Sequence, residues 1–526
     1  MPKPLLNARL PLDWATIDTD PVVPGANGLE AFLGNRNRIT GRDLAPYGPL
    51  DPMAIPDLPY LPARARLALI DRLRADVGPS DPQILDRFIN AYLLLAYRGF
   101  AQVPWVSPRR RALAQTTLRA TELMNHLFRN RWRQQTAATG AWWHRFLETF
   151  RAAGRARILA IRRPLFQQGG QNHVLGSATA TLLHSAANPF AWEPELQPHL
   201  ERLLGLLADE VLVFPAASPS AYAESGTGRF LFDVNRGQAP VPPEATPTPR
   251  PGEPAPQWWI LDTNRVIARL GDFRRNLALG APAERMPNSV VDIPEPSRSI
   301  LLRRLEKALA SSNRKQRTPS SGRIHLVTGL EPTVRHVFAH RCSLAKDMAT
   351  LDTNVRLQSE MGTRTPNQSE QLVWHIRDRQ PTGIGLRGPV PSGPSLVGRV
   401  AGLMDLGDNS SMPQSTLRVG IVRWQRIAPG REENEVGVDL FQETPSDCWC
   451  RIMHGPGATL QEYPAVFLEA KSENGPSLLL PAGLFRKGVP VTLRADDREW
   501  PAELLRILEM GVHFEHVAIR VPNSPG

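Results

Sequence analysis

The chain has 526 residues, 41% hydrophobic and 21% charged, which excludes an intrinsically disordered protein and predicts several globular units. Its formal net charge is +11, but only six of the 62 basic residues are lysines, so the excess reflects arginine usage and does not by itself indicate nucleic acid. Three cysteines exclude a disulfide framework and fit a reducing cytoplasm. The opening residues MPKPLLNARLPLDW lack the continuous apolar core expected of a secretory signal, and the longest apolar run, AYLLLAY at 91–97, is well short of the about 20 residues of a membrane span.

In chain order, residues 1–61 are rich in Pro, Gly, Asp and Asn and predict an extended arm. Helical spacing dominates 62–208. Leu67, Ile70 and Leu73 share one face, Asp81-Pro82 and Ser107-Pro108 open two further helices, and Ala120, Leu123, Met124 and Leu127 form an apolar stripe. Between 101 and 163 thirteen arginines face two carboxylates, Glu122 and Glu148, with Trp132, Trp142, Trp143, Phe146 and Phe150 interleaved. Basic and aromatic residues together are what a nucleic-acid surface needs, for phosphates and for base stacking. Rings at helical spacing are more often core, and arginines a solvated face. An acidic protein partner is expected at least as readily as nucleic acid, and helices 107–163 are the surface expected to contact an unidentified protein partner.

Residues 209–256 hold a strand-like segment and then APVPPEATPTPRPGEPAP, with eight prolines in eighteen positions, which predicts a stiff linker. A strand–helix lead-in over 257–312 follows, its helix capped around Asp262 to Asn264. Strand patterns dominate thereafter. STLRVGIVRWQRI and EVGVDLF alternate well within 313–441, interrupted by a polar, helix-like insertion at 331–370. Further short strands in 442–526 predict a second small β unit. No internal repeat is evident. The fold class expected is α+β: an α-helical domain, an antiparallel β-barrel with a helical insertion, and the second β unit.

Catalytic signatures are missing. There is no phosphate-cradling glycine loop, zinc-protease helix or nucleophile elbow, so a non-catalytic protein without cofactor or metal is expected. His336 and His340, and Cys448 and Cys450, have spacings that suit a metal but no companions to complete a ligand set; they read as structural.

The stretch WHIRDRQPTGIGLRG, 374–388, is different. Trp374 and Ile376 alternate with polar residues as in a half-buried strand, which breaks at Asp378-Arg379-Gln380-Pro381-Thr382-Gly383. Upstream stand Arg314 and Arg317 in NRKQR; downstream come Val419 to Trp424 and Gly437 to Phe441. This arrangement resembles the PilZ family of small β-barrels that bind the bacterial second messenger cyclic di-GMP. Its pattern is an arginine pair, a D/N-x-S-x-x-G turn, a strand ending near V-x-W and a last strand like G-V-x-F. The resemblance covers roughly 313–441. It implies a ligand rim of Arg314, Arg317, Asp378, Arg379, Gln380 and Gly383. Guanidinium groups suit phosphates and the guanine edge, an Asp accepts from guanine, and a glycine permits close backbone approach. The sequence departs from the pattern in three places: Gln380 replaces the serine, two residues rather than three separate the arginines, and the long 331–370 insertion could gate or cover the site. The resemblance thus implies a cytoplasmic cyclic di-GMP effector that signals to a protein partner. The alternatives are a docking module that binds no nucleotide and, third, nucleic-acid binding through the helical domain.

Overall fold

The computed structural model describes residues 52, 63–77, 82–101, 108–166, 171–216, 227–243, 255–280, 286–295, 297–310, 318–346, 372–389, 394–406, 417–427, 433–453, 460–469, 475–495 and 498–522. The expected N-terminal arm lies almost wholly outside them, as do Arg314 and Arg317 and the second half of the expected insertion.

The N-terminal part is built from α1 (Ala63–Val77), α2 (Pro82–Ala101), α3 (Pro108–Arg133) and α4 (Gly140–Arg155), then the small β1 (Arg163–Pro164) and β2 (Gln171–Asn172), then α5 (Val174–Ala186) and α6 (Gln197–Leu207). Local chemistry sets the helix starts. Thr139 caps α4 by accepting from the Trp142 amide at 3.2 Å, and His173 caps α5 through Nδ1, which accepts from the Gly176 amide at 2.7 Å. A three-stranded sheet follows, with β3 (Leu212–Pro215), β4 (Arg229–Asp233) and β5 (Trp258–Asp262) in the order β3-β5-β4. Next come α7 (Asn264–Ala278), α8 (Asn288–Val291) and α9 (Ser297–Ala310). The proline-rich run, expected to separate two units, instead joins β4 to β5, which pair with each other. One hydrophobic core therefore runs from Leu67 to Leu309 across the expected boundary.

The five aromatic residues among the arginines are all buried in this core; Trp142, for example, stacks on Phe146 at 5.2 Å between ring centroids. Many of the arginines are committed internally. Arg119 pairs with Asp71 and Glu122, Arg133 with Glu201, Arg145 with Asp86, and Arg110 donates to the carbonyls of Ala156 and Arg157. The rings thus offer no stacking surface for bases.

Two closed barrels follow. The first comprises β7 (Arg323–Thr328), β8 (Leu372–Gln380), β9 (Gly383–Pro389), β10 (Val400–Asp405), β11 (Leu417–Ile427) and β12 (Glu433–Leu440), with the two-residue β6 (Thr318–Pro319) strapped to the end of β8. The ring closes antiparallel in the order β7-β8-β9-β12-β11-β10. Helix α10 (Leu330–Lys346) occupies the first part of the expected insertion, between the first two strands of this ring. The second barrel comprises β13 (Pro445–Met453), β14 (Leu460–Leu468), β15 (Ser477–Pro481), β16 (Pro490–Ala495), β17 (Arg498–Met510) and β18 (Phe514–Arg520). It closes as β13-β14-β15-β18-β17-β16. Counting strands one to six within each barrel, both rings run one-two-three-six-five-four. The repeat that the sequence hides is therefore present as topology.

Each barrel has its own core, and a third cluster joins them. Val334 and Val337 of α10 pack with Val400, Val419 and Ile421 of the first barrel and with Val466, Leu468, Leu479 and Phe514 of the second. Arg341 of α10 adds an ion pair to Asp447 at 3.1 Å. The insertion is a wedge between barrels.

Candidate functional site

The hairpin β8–β9 carries the residues singled out in the sequence. Along β8, Trp374 and Ile376 enter the barrel core as their alternation predicts. The register then slips between Ile376 and Asp378, leaving Arg377 as the extra residue of a bulge. Arg377 uses that position to reach Asp378 Oδ2 (Nε, 2.7 Å) and Glu435 Oε2 (2.9 Å), lying over the Trp424 ring. Arg387 and Arg426 also converge on Glu435, at 3.3 and 2.6 Å. Burial opposes the charge of Glu435, yet the three guanidiniums win and hold its carboxyl below the ordinary range.

Asp378 belongs to this network. It is buried, and its carboxylate lies against Gly385, its partner on β9, where a Cβ would meet Oδ1 at 2.5 Å. Arg379 and Gln380 instead line a cavity of about 750 Å³. It lies where β6, the end of β8, the start of β11 and the β12–β13 connection meet. Arg379 holds both oxygens of Asp405, at 3.0 and 3.2 Å, while its Nε is a buried donor without a hydrogen-bond partner among the described residues. Gly383 sits at the turn opposite Gln380, and a Cβ there would come within 3.3 Å of the Val438 carbonyl oxygen. The structure thus brings Arg379 and Gln380 to one cavity, whereas Asp378 and Gly383, their neighbours on the hairpin, do not line it. Arg314 and Arg317 lie outside the described residues, in the segment that leads into β6 at the cavity edge.

One residue that sequence reasoning missed is Arg418 on β11. It lines the cavity and has no hydrogen-bond or ion-pair partner among the described residues. In the sequence it is merely the polar step before Val419; only barrel closure brings it alongside Arg379. Set against one lining carboxylate, Glu443, the Arg418 guanidinium and the spare Arg379 donor are the groups here that could hold an anion.

The other candidates behave as structural residues. Cys448 and Cys450 share the inward face of β13 in the second core, where burial pushes the Cys450 thiol up to about 12 and Cys448 well above its ordinary value. His336 is buried beneath Gly402, with burial the main cause of a pKa near 4. Among the described residues no group of three or more His, Cys, Asp or Glu is placed to hold a metal, and no helix is long and apolar enough to cross a membrane. In the comparisons with known proteins, no protein-family model and no curated protein matches the chain.

Proposed function

We propose that the first barrel binds cyclic di-GMP in the 750 Å³ cavity, and that the protein is a non-catalytic bacterial effector that relays binding to a protein partner. One observation carries this reading. The six-stranded ring gathers Arg379, Gln380 and Arg418 around a cavity of small-molecule size; Arg314 and Arg317 precede β6 in the sequence. Two phosphates and two guanines offer more guanidinium contacts than any single arginine satisfies. Asp378 serves this site through Arg377 and the packing of the hairpin.

A second reading has its own support. In the second barrel, strands two and three are joined by a segment containing Ser472-Glu473-Asn474-Gly475, the S-x-x-G spacing from which Gln380 to Gly383 departs. Gly475 adopts φ +72°, a left-handed conformation suited to glycine. This barrel has no arginine pair before its first strand, where Gln442-Glu443-Thr444 stand instead. Ala470 stands where the pattern carries Asp or Asn, so each barrel holds only part of it. The remaining alternative is a docking module without nucleotide.

Calorimetry on the full chain separates these readings. Cyclic di-GMP should bind, and alanine at Arg379, Arg418, Arg314 or Arg317 should each weaken it tenfold to a hundredfold, as expected for loss of a charge-assisted contact of about 1.5–3 kcal/mol. Equal affinity in all four variants, with loss on Ser472→Ala, would move the site to the second barrel. No heat at high micromolar nucleotide would leave the docking module.

A further inference from the structure

A second cavity, of about 530 Å³, lies where the helical part meets both barrels. Its walls come from the segment between α5 and α6, from α9, from β11 and β12, and from β17. The apolar lining includes Trp192, Ile300, Leu508 and Met510. The charged lining is unbalanced. Its two carboxylates, Asp439 and Glu509, both bind Arg423, at 3.0 and 2.8 Å. Arg304 is held by Glu193, with 2.6 Å to each carboxylate oxygen. Arg303 and Lys307 remain. Both are exposed on α9, four residues apart on one face, and neither has a hydrogen-bond or ion-pair partner among the described residues.

Like charges at this helical spacing repel each other. Here the pair stands at the mouth of a cavity whose carboxylates are already spent on other arginines. Two adjacent, uncompensated cations above an apolar floor match a dianionic head on an apolar body. A phosphate monoester carries about −1.5 to −2 at neutral pH. We propose that this junction binds a small organic phosphate monoester, its phosphate between Arg303 and Lys307 and its body against Trp192 and Met510. Because three parts of the molecule build the walls, occupancy ties the helical part to both barrels. The site shares no lining residue with the cyclic di-GMP cavity and does not depend on that reading.

The test uses 1-naphthyl phosphate, a fluorescent monoester with a flat apolar body, titrated into the full chain. The expected result is saturable binding that inorganic phosphate displaces. It should weaken tenfold or more in Arg303→Ala and in Lys307→Ala, and vanish when both are replaced by Glu. Arg379→Ala, in the other cavity, should leave it unchanged. Both substituted residues are exposed, and circular dichroism checks that the variants fold. Absent or non-saturable binding would overturn the proposal, as would full affinity in the doubly substituted chain.

Discussion

At the scale of single residues, two glycines explain why the barrel strands read as they do. Gly437 lies directly opposite Trp424, and a Cβ there would meet the indole Nε1 at 2.0 Å. Val422-Arg423-Trp424 and the strand that begins Gly437-Val438 are therefore two halves of one cross-strand contact, an indole lying over a bare backbone. Gly385 makes the same room for the Asp378 carboxylate. The helical part offers a residue-scale test. His184 is buried, with Nδ1 2.9 Å from the Ala180 carbonyl oxygen and the ring edge-on to Trp132. Burial lowers its pKa from 6.5 to about 3. In the unfolded chain it takes up a proton near pH 6.5, whereas the folded protein resists until far lower. Its contribution is therefore nil above 6.5, and stability falls as pH drops below that value. By pH 4.5 the loss should reach about 2.5 kcal/mol. Urea denaturation at pH 7 and 4.5 measures it. His184→Met should lose correspondingly less on acidification, and an equal loss would show that His184 does not titrate as described.

At the scale of elements, the alternation of Trp374 and Ile376, the Asp262 turn and the helix openings were legible because each depends on residues close in sequence. Asp262 Oδ1 indeed accepts from the Asn264 amide at 3.0 Å. The pairing of β4 with β5 across eight prolines was not legible, because composition describes a connection's stiffness and not where its ends lie. Nor was the role of α10. Its apolar residues look like any amphipathic face until a second barrel closes over them. Phe514 of β18 is fully buried in that shared cluster beside Val334 and Val337. Phe514→Ala should cost about 3–5 kcal/mol, read by chemical denaturation. A cost under 1 kcal/mol would mean that the barrels are not held through this cluster.

At the scale of the whole molecule, the two rings meet at corresponding strands. Arg423 occupies a bulge in β11, the fifth strand of its ring, and pairs with Glu509 beside a bulge in β17, the fifth strand of the other. Desolvation opposes both charges, yet their mutual hydrogen bonds and attraction, helped by Asp439, raise the Arg423 pKa and lower that of Glu509. This pair stands on the wall of the junction cavity, whereas Arg379 and Arg418 stand at the other. Of the candidate site, the sequence showed Arg379 and Gln380. It did not show Arg418, which only ring closure brings near, nor that Asp378 turns inward to Arg377. If cyclic di-GMP binds in the first barrel's cavity, hydrogen exchange on the full chain should slow on adding the nucleotide at 379–381, 417–418 and 441–445, with the wall of the junction cavity at 303–308 unchanged. Unchanged exchange at all three segments with saturating nucleotide, or protection confined to 470–476, would contradict that placement.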